Sequence, residues 1–398
     1  MNSKTRVLLI SPFFYPEEIS TGKYNSALAS ALVDADCHVT VICSHPLYPD
    51  WKVSETKEKL EGVEIIRGGL GVKYPRSAVL RRLVLEFWYM MFVVKNMRKM
   101  KNNIDIIVPI FPPTLYMILL KYFLPEKRFC VGIVHDLLGV MAKSQKSKLR
   151  DLISRLITKA EISAFNVCDQ IVCLSESMKS TIHTQLKIPN EKLVVKYPFV
   201  SIGELKGNGN LHSIFPEQYI HIVYSGALGE KQIPNTLVNF FQRVCENDQR
   251  VMCHIFSRGP VFDQLSKRNG GLSDQLVFHD LVNESDLAEL YERSAIQVIP
   301  QAQGTGAGAF PSKLPNLLAA GVPVFAICDI ESELGKLVDI SGVSYVVKDW
   351  SLDSWTDGMK NFILETQKET HRERQEKTKN IIAELFSVKP LVNTILNK

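Results

Sequence analysis

The chain reads as an α/β protein of two doubly wound, Rossmann-like domains, and three observations say so. Short apolar runs rich in valine and isoleucine recur between helical patterns. A polar, glycine-rich pause divides these runs into two series. With 398 residues and 45% hydrophobic content the chain can bury more than one core, and about 150 residues per domain gives two.

The first series covers residues 7–10, 38–43, 63–66, 104–110, 129–134 and 170–174. Continuous apolar strands alternating with helices are the mark of a parallel sheet covered on both faces. The pause at 198–216 (PFVSIGELKGNGNLHSIFP) has the Gly, Asn and Ser content of an interdomain linker. The second series covers 220–224, 251–256, 276–278, 296–299, 322–327 and 343–347. The stretch 365–379 (ETQKETHRERQEKTK) has helical spacing, and its charges are expected to form a solvated face. The expected division is 1–198 for the first domain, 199–370 for the second, and 371–398 for closing helices.

The eight cysteines fall mostly inside apolar runs and form no Cys-x-x-Cys pair. That pattern predicts reduced core thiols in a cytoplasmic protein rather than disulfides or a zinc site. The first ten residues hold one strand-like run with no cleavage pattern, so no signal peptide is expected. The apolar stretch 83–94 is shorter than the roughly 20 residues of a membrane span. Charge is uneven: residues 1–200 carry 28 Lys and Arg against 18 Asp and Glu, the remainder 19 against 24. An anionic surface or acceptor should therefore meet the first half.

Ligands of open α/β sheets sit beyond the carboxyl ends of the strands, where helix N-termini offer unpaired N–H groups. Four strand ends are chemically unusual. The first, residues 11–23, is a long loop with Gly22, small hydroxylated side chains and a helix expected to begin near Tyr24. Gly22 lets backbone approach a ligand closely, although an ordinary loop fits equally well. The second is His135-Asp136 after the buried run VGIV. Such a pair is more often structural, but its place at a strand end suits a group that donates a hydrogen bond or a proton near neutral pH.

The third is Tyr224-Ser-Gly226-Ala-Leu-Gly229-Glu-Lys231, where Lys231 is expected in the first turn of a helix. A cation there opposes the helix dipole unless an anion binds. The fourth is the run 301–324. Gly304, Gly306 and Gly308 expose amides, Ser312 can cap the next helix, and Lys313 and Asn316 lie one turn apart on one face. The strand beyond leads to Asp329-Ile-Glu331-Ser-Glu333.

Gly304-x-Gly306-x-x-Ala309 also fits a relaxed dinucleotide fingerprint, with Asp329 near the ribose-binding distance of about 20 residues. A nicotinamide-dependent oxidoreductase is therefore the ranking alternative. Against it, the pattern comes late and meets Pro311 where the fingerprint helix should be running. Asp34-Ala-Asp36 imitates a metal motif but falls in a turn. No His/Cys/carboxylate cluster has metal spacing, and no nucleophile elbow or phosphate-binding loop ending in Gly-Lys-Ser/Thr occurs.

Between residues 73 and 101, eight basic residues and one acid, Glu86, flank LVLEFWYMMFVV. A helix with cationic ends and Phe87, Trp88, Tyr89 and Phe92 in its middle suits an anionic membrane surface. The bland alternative is a buried crossover helix with charged ends.

Three motifs together resemble the family 4 glycosyltransferases of the GT-B fold. They are Pro16-x-x-x-x-Thr-Gly22-Lys23-Tyr24-Asn25, Ser225-Gly226-x-x-Gly229-Glu230-Lys231, and Pro311-Ser-Lys-Leu-x-Asn316-x-Leu-Ala-x-Gly321-x-x-Val324. Within that family the chain is most similar to bacterial enzymes of exopolysaccharide and O-antigen assembly, the colanic acid type included. The resemblance covers nearly the whole chain and implies two Rossmann-like domains facing a central cleft. It implies retaining transfer of a sugar from a UDP or GDP donor to a lipid-linked or oligosaccharide acceptor. No cofactor, no obligatory metal and no nucleic acid are implied, and the enzyme would be cytoplasmic, peripheral on the inner face of the plasma membrane.

By the same resemblance Lys231 would neutralise the leaving diphosphate and His135 would contact the transferred sugar. Amides of Gly308, Ala309 and Phe310 would hold phosphate or sugar oxygens, and Asn316 the donor ribose. Gly22, Gly226, Lys313 and Glu333 would complete the donor contacts. The chain departs from the family where two glutamates eight positions apart become Gly308 and Asn316, and where an arginine becomes Ala227. Arg258, in the turn Ser-Arg-Gly-Pro260, is the candidate replacement for that cation. A catalytically silent, nucleotide-binding relative is the remaining alternative.

Overall fold

In a computed structural model the described residues are 4–17, 19–47, 50–75, 77–100, 104–120, 122, 128–137, 148–202, 207–271, 273–305 and 310–397. The chain divides into two compact units, Met1–Ser201 with Ser387–Lys398, and Ile202–Phe386.

Among the described residues the first unit holds a seven-stranded parallel sheet in the order β3-β2-β1-β4-β5-β6-β7. Its strands are β1 (Arg6–Ile10), β2 (His38–Ser44), β3 (Val63–Gly68), β4 (Ile106–Phe111), β5 (Phe129–Val134), β6 (Gln170–Cys173) and β7 (Leu193–Val195). All six residues of β4 are buried, as expected of a central strand with helices on both faces. One face packs on α2 (Ala78–Met100) and α3 (Leu115–Leu120) through Tyr89, Val93, Met117 and Leu120. The other packs on α1 (Ser20–Asp34) through Leu28 and Leu32, joined by Leu391, Val392 and Ile395 of the last helix, Lys389–Ile395.

The second unit repeats the plan with β8 (Ile220–Ser225), β9 (Val251–Phe256), β10 (Leu276–His279), β11 (Ile296–Pro300), β12 (Val324–Ile327) and β13 (Tyr345–Val346), in the order β10-β9-β8-β11-β12-β13. Every pairing is parallel, so each strand must be followed by a crossover. The core is aromatic: Phe240 stacks on Phe325 at 5.6 Å and meets Trp355 edge to face at 5.8 Å.

Three expectations change. The stretch read as a linker is fastened to the second unit: Asn208 and Asn210 donate to Asp286 Oδ1 at 2.6 and 2.9 Å, and the Leu211 amide to Glu289 Oε2 at 3.2 Å. Its polar side chains are anchors, and Leu211 and Phe215 are buried. The helix His371–Leu385 is not simply a solvated face. Arg374 is buried and donates to the carbonyls of Gly321 (2.8 Å) and Thr366 (3.1 Å), and Thr378 Oγ1 donates to Leu318 O at 3.0 Å. These bonds tie the helix to the carbonyls at the ends of two others, Leu314–Ala319 and Leu352–Thr366. Terminal residues 371–398 do not act as one segment, since the last helix belongs with the first unit.

The basic apolar segment is α2, and it has two apolar faces. Tyr89 is buried and donates to Ile42 O at 2.6 Å, while Trp88 and Phe92 stack at 5.5 Å against the core. Three of the four aromatic residues are thus turned inward. Leu80, Leu83, Phe87 and Met91 are 55, 55, 64 and 54% exposed, and at 100° per residue they form one stripe. Glu86 accepts from the amides of Thr114 (2.8 Å) and Leu115 (3.0 Å) and pairs with Arg82 at 3.0 Å. The single acid of the segment therefore caps α3. Among the described residues no helix is long and apolar enough to cross a membrane.

Candidate active site

Strand order reverses between β1 and β4 in the first sheet and between β8 and β11 in the second. Those are the switch points where ligands bind open sheets, and the carboxyl ends there come from the residues singled out by sequence.

At the first sheet, α1 begins at Ser20, four residues before the expected start. Ile19 occupies the N-cap without a side-chain bond, so no start signal existed to be read. Gly22 lies in the first turn, where a Cβ would stand 2.8 Å from the Glu17 carbonyl oxygen. That close approach is what demands glycine. Asn25 draws the loop over the strand end by donating to Ser11 Oγ at 2.8 Å and Phe13 O at 3.0 Å.

His135 follows β5, its amide donating to Phe111 O at 2.8 Å. Its ring meets Tyr24 edge to face at 4.8 Å, and Tyr24 lies against Phe199 at 4.4 Å. The Tyr24 hydroxyl, Asn25 Oδ1 and His135 Nε2 are buried without hydrogen-bond partners. Leaving such groups unmade costs about 1–3 kcal/mol each, which marks this strand end as more than packing. Burial pushes His135 down to about 4. Of its two expected roles, a hydrogen bond or a proton, this burial fits the hydrogen bond.

At the second sheet, Gly226 follows β8 with φ 149°, a conformation that excludes most side chains. Its amide donates to Phe256 O at 3.0 Å, which sets the β8 turn beside the Ser257–Gly259 turn carrying the exposed Arg258. Lys231 is not in the first turn of an α-helix. It sits in the short 3₁₀ turn Glu230–Gln232, separated from the helix Pro234–Asn247 by the left-handed Ile233. The turn is tied to the β11 loop, since the Ala302 amide donates to Lys231 O at 2.7 Å.

Lys313 reaches the switch point itself. Its Nζ donates to Ser225 O at 3.2 Å and Val298 O at 3.3 Å and stands 4.6 Å from the Tyr224 ring centroid. Desolvation pushes it down to about 7. Ser312 does not cap the following helix; Lys313 is the N-cap residue, without a side-chain bond. Asn316 points elsewhere, accepting from the Ile202 amide at 3.3 Å. Phe310 stacks on Phe386 at 6.4 Å. Glu333 begins the helix Glu333–Ile340 beyond β12. Gly308 and Ala309 lie outside the described residues.

Asp329 decides the dinucleotide reading. Its carboxylate accepts from the Gly304 amide at 2.7 Å and from Trp350 Nε1 at 3.1 Å, so it pins the loop instead of standing ready for a ribose. Among the described residues the next helix begins at Leu314, beyond Pro311. Asp36 makes the expected turn, at φ 62° and paired with Lys4 at 2.6 Å. Among the described residues no group of three His, Cys, Asp or Glu is placed to hold a metal ion. A cavity of about 530 Å³ lies at the amino ends of β8 and β11, walled by Phe215, Tyr219, His221 and Arg293, and none of the candidate residues lines it.

Sequence reasoning missed the partners of Lys313. Tyr224 stood inside the quoted turn, but nothing in the sequence links it to a lysine 89 positions later. It likewise missed Tyr24 as the neighbour of His135, although the hydroxylated aromatic beside Gly22 and Lys23 was a readable signal.

Residues 21–204 match Glycosyltransferase Family 4, and residues 212–380 match Glycosyl transferases group 1. The chain is 23% identical over 399 residues to a putative colanic acid biosynthesis glycosyl transferase, WcaI, of Escherichia coli K12, covering 94% of this chain and 96% of the relative. In fold it is similar to WaaG, a glycosyltransferase involved in lipopolysaccharide biosynthesis (TM-score 0.69, 13% identity, 98% of this chain and 100% of that one). It is also similar to sucrose-phosphate synthase from Thermosynechococcus elongatus (TM-score 0.72, 15% identity, 99% and 98%). With both halves matched to glycosyltransferase domains in chain order and two doubly wound sheets carrying the motifs at their switch points, the chain is a family 4 glycosyltransferase of the GT-B fold.

Proposed function

We propose that the enzyme transfers a sugar from a nucleoside diphosphate donor, UDP or GDP, to a lipid-linked or oligosaccharide acceptor in bacterial surface polysaccharide assembly. The observation that carries this reading is the ammonium of Lys313 at the β8/β11 switch point. A cation placed where strands and turns open their amides is a site for a diphosphate. The likeness to a colanic acid enzyme and to a lipopolysaccharide enzyme supports the acceptor class.

In this reading the donor's C1–oxygen bond to the diphosphate breaks while a new bond forms from an acceptor hydroxyl oxygen to the same carbon, the hydroxyl proton passing to the departing diphosphate oxygen, with retention and without a metal. Lys231 and Lys313 stabilise the departing diphosphate. Preorganised charge of this kind is worth about 10²–10³ in rate per donor. Arg258 supplies further positive charge, amides of 308–310 hold oxygens, and Glu333 contacts the donor; Asn316, its Oδ1 taken by the Ile202 amide, is left out of this assignment. His135, neutral through burial, binds a hydroxyl of the transferred sugar.

Acceptor delivery falls to α2. Its stripe of Leu80, Leu83, Phe87 and Met91 is exposed, and Lys95 and Lys99 lie exposed beyond it. Apolar side chains with lysines at one end suit the inner face of an anionic membrane, at about 1 kcal/mol per basic residue.

The test is transfer from radiolabelled UDP- and GDP-sugars into lipid extracts by the purified chain, with the product anomer read by NMR. Lys231→Ala should abolish transfer and Lys313→Met should lower it about 10²–10³-fold, each with the melting temperature unchanged. Full activity in either variant would refute its assignment. Phe87→Glu should release the protein from anionic vesicles, and unchanged flotation would refute the membrane face.

A further inference from the structure

We infer that the donor pocket of the second domain takes up one proton when a nucleoside diphosphate sugar binds, and that Lys313 carries it. The inference rests on the donor reading above and adds to it a linkage between affinity and pH.

The geometry is that of an ammonium without a counter-charge. Its two acceptors are the carbonyls of Ser225 and Val298, at 3.2 and 3.3 Å, longer than the roughly 2.7–2.9 Å of charge-assisted bonds. A third side is closed by the Tyr224 ring at 4.6 Å. Among the described residues no carboxylate pairs with it.

Among the described residues, the elements that meet at this switch point carry the following charged and titratable groups. From β8, the Tyr224 phenol is held protonated by burial and donates to Ala227 O at 2.5 Å. From β11 comes the Val298 carbonyl. The turn after β8 carries Lys231 and the turn after β9 carries Arg258, both cations. Beyond β12 the Asp329 carboxylate is bound to Gly304 N and Trp350 Nε1, and Glu333 begins the next helix. Desolvation is the cause of the depression to about 7. An empty pocket therefore holds this lysine about half neutral near pH 7. A diphosphate beside it supplies the missing counter-charge, favours the ammonium and draws a proton from solvent.

The experiment is calorimetry of the full chain with UDP-glucose and with GDP-mannose, each in buffers of different ionisation enthalpy. The diphosphate of a nucleotide sugar is a diester and does not titrate near neutrality, and burial holds His135, His254 and His279 at about 4, 2 and 4. These histidines start neutral above about pH 6, and Lys313→Arg, which leaves them in place, separates any uptake of theirs from that of Lys313. The expected uptake is about 0.1 proton at pH 6 and about 0.9 at pH 8, with affinity falling up to about tenfold per pH unit above neutrality.

Lys313→Arg, permanently charged, should bind without uptake and without the slope. Binding with no uptake in the wild type, or uptake that persists in Lys313→Arg, overturns the inference while the donor reading stands. Failure of both nucleotide sugars to bind overturns the donor reading and the inference with it. If Lys313→Arg does not fold, nitrogen NMR of lysine-labelled wild type decides: a lysine titrating near pH 7 in the free protein supports the inference, and none below about pH 10 overturns it.

Discussion

The two sheets share one topology and present opposite chemistry at their switch points. At the first, buried neutral groups face one another: Tyr24, Asn25 and a histidine that burial keeps uncharged. At the second, an ammonium is held by two backbone carbonyls. The strand order dictates only where a ligand can approach. What approaches is decided by the few side chains at that point, and in the function proposed above these are hydroxyl partners in one case and anions in the other.

The largest expected difference concerns charge. Lys313→Met should lower kcat/KM about 10²–10³-fold, whereas Tyr24→Phe, which keeps the ring against His135, should cost less than tenfold. Equal losses would erase the contrast. The second effect is on acid stability. His221, His254 and His279 form a chain on β8, β9 and β10, with nitrogens 2.9 and 3.0 Å apart. Burial lowers all three, His254 to about 2 and His279 to about 4.

Unfolded histidine titrates near 6.5, so stability is complete above that pH and is lost as pH falls, because the unfolded chain binds protons that the fold refuses. The loss is about 2 kcal/mol for His254 between pH 7 and 5, with the same sign for its neighbours. Urea melts at the two pH values should show the second domain losing more than the first, in which, among the described residues, His45 and His135 are the histidines lowered by burial. Third, Glu86→Gln should destabilise the first domain by about 1–3 kcal/mol, since the carboxylate serves two α3 amides and Arg82. Denaturant midpoints check this, and an unchanged midpoint would remove the cap from the account.

Much of the fold was legible because parallel sheets covered on both faces need continuous apolar strands. Runs such as 129–134 and 251–256 coincide with β5 and β9. β7 escaped because three residues, LVV, carry too little pattern. The anchoring of 207–216 escaped because glycine and asparagine read alike in a free linker and in one held by Asp286. At the site, positions were legible and roles less so. Lys313 was visible as a cation on a motif, but Ser225 and Val298 meet it through backbone atoms that no residue type announces. Asp329 stood at the spacing of a ribose ligand, and only the loop folded onto it shows that it is an anchor.

Hydrogen exchange of the full chain with and without UDP- and GDP-sugars tests the donor assignment most directly. Protection on binding is expected at 225–232 and 298–305, the turns beside Lys313. Protection confined to 207–221, at the opposite end of the second sheet, would contradict it.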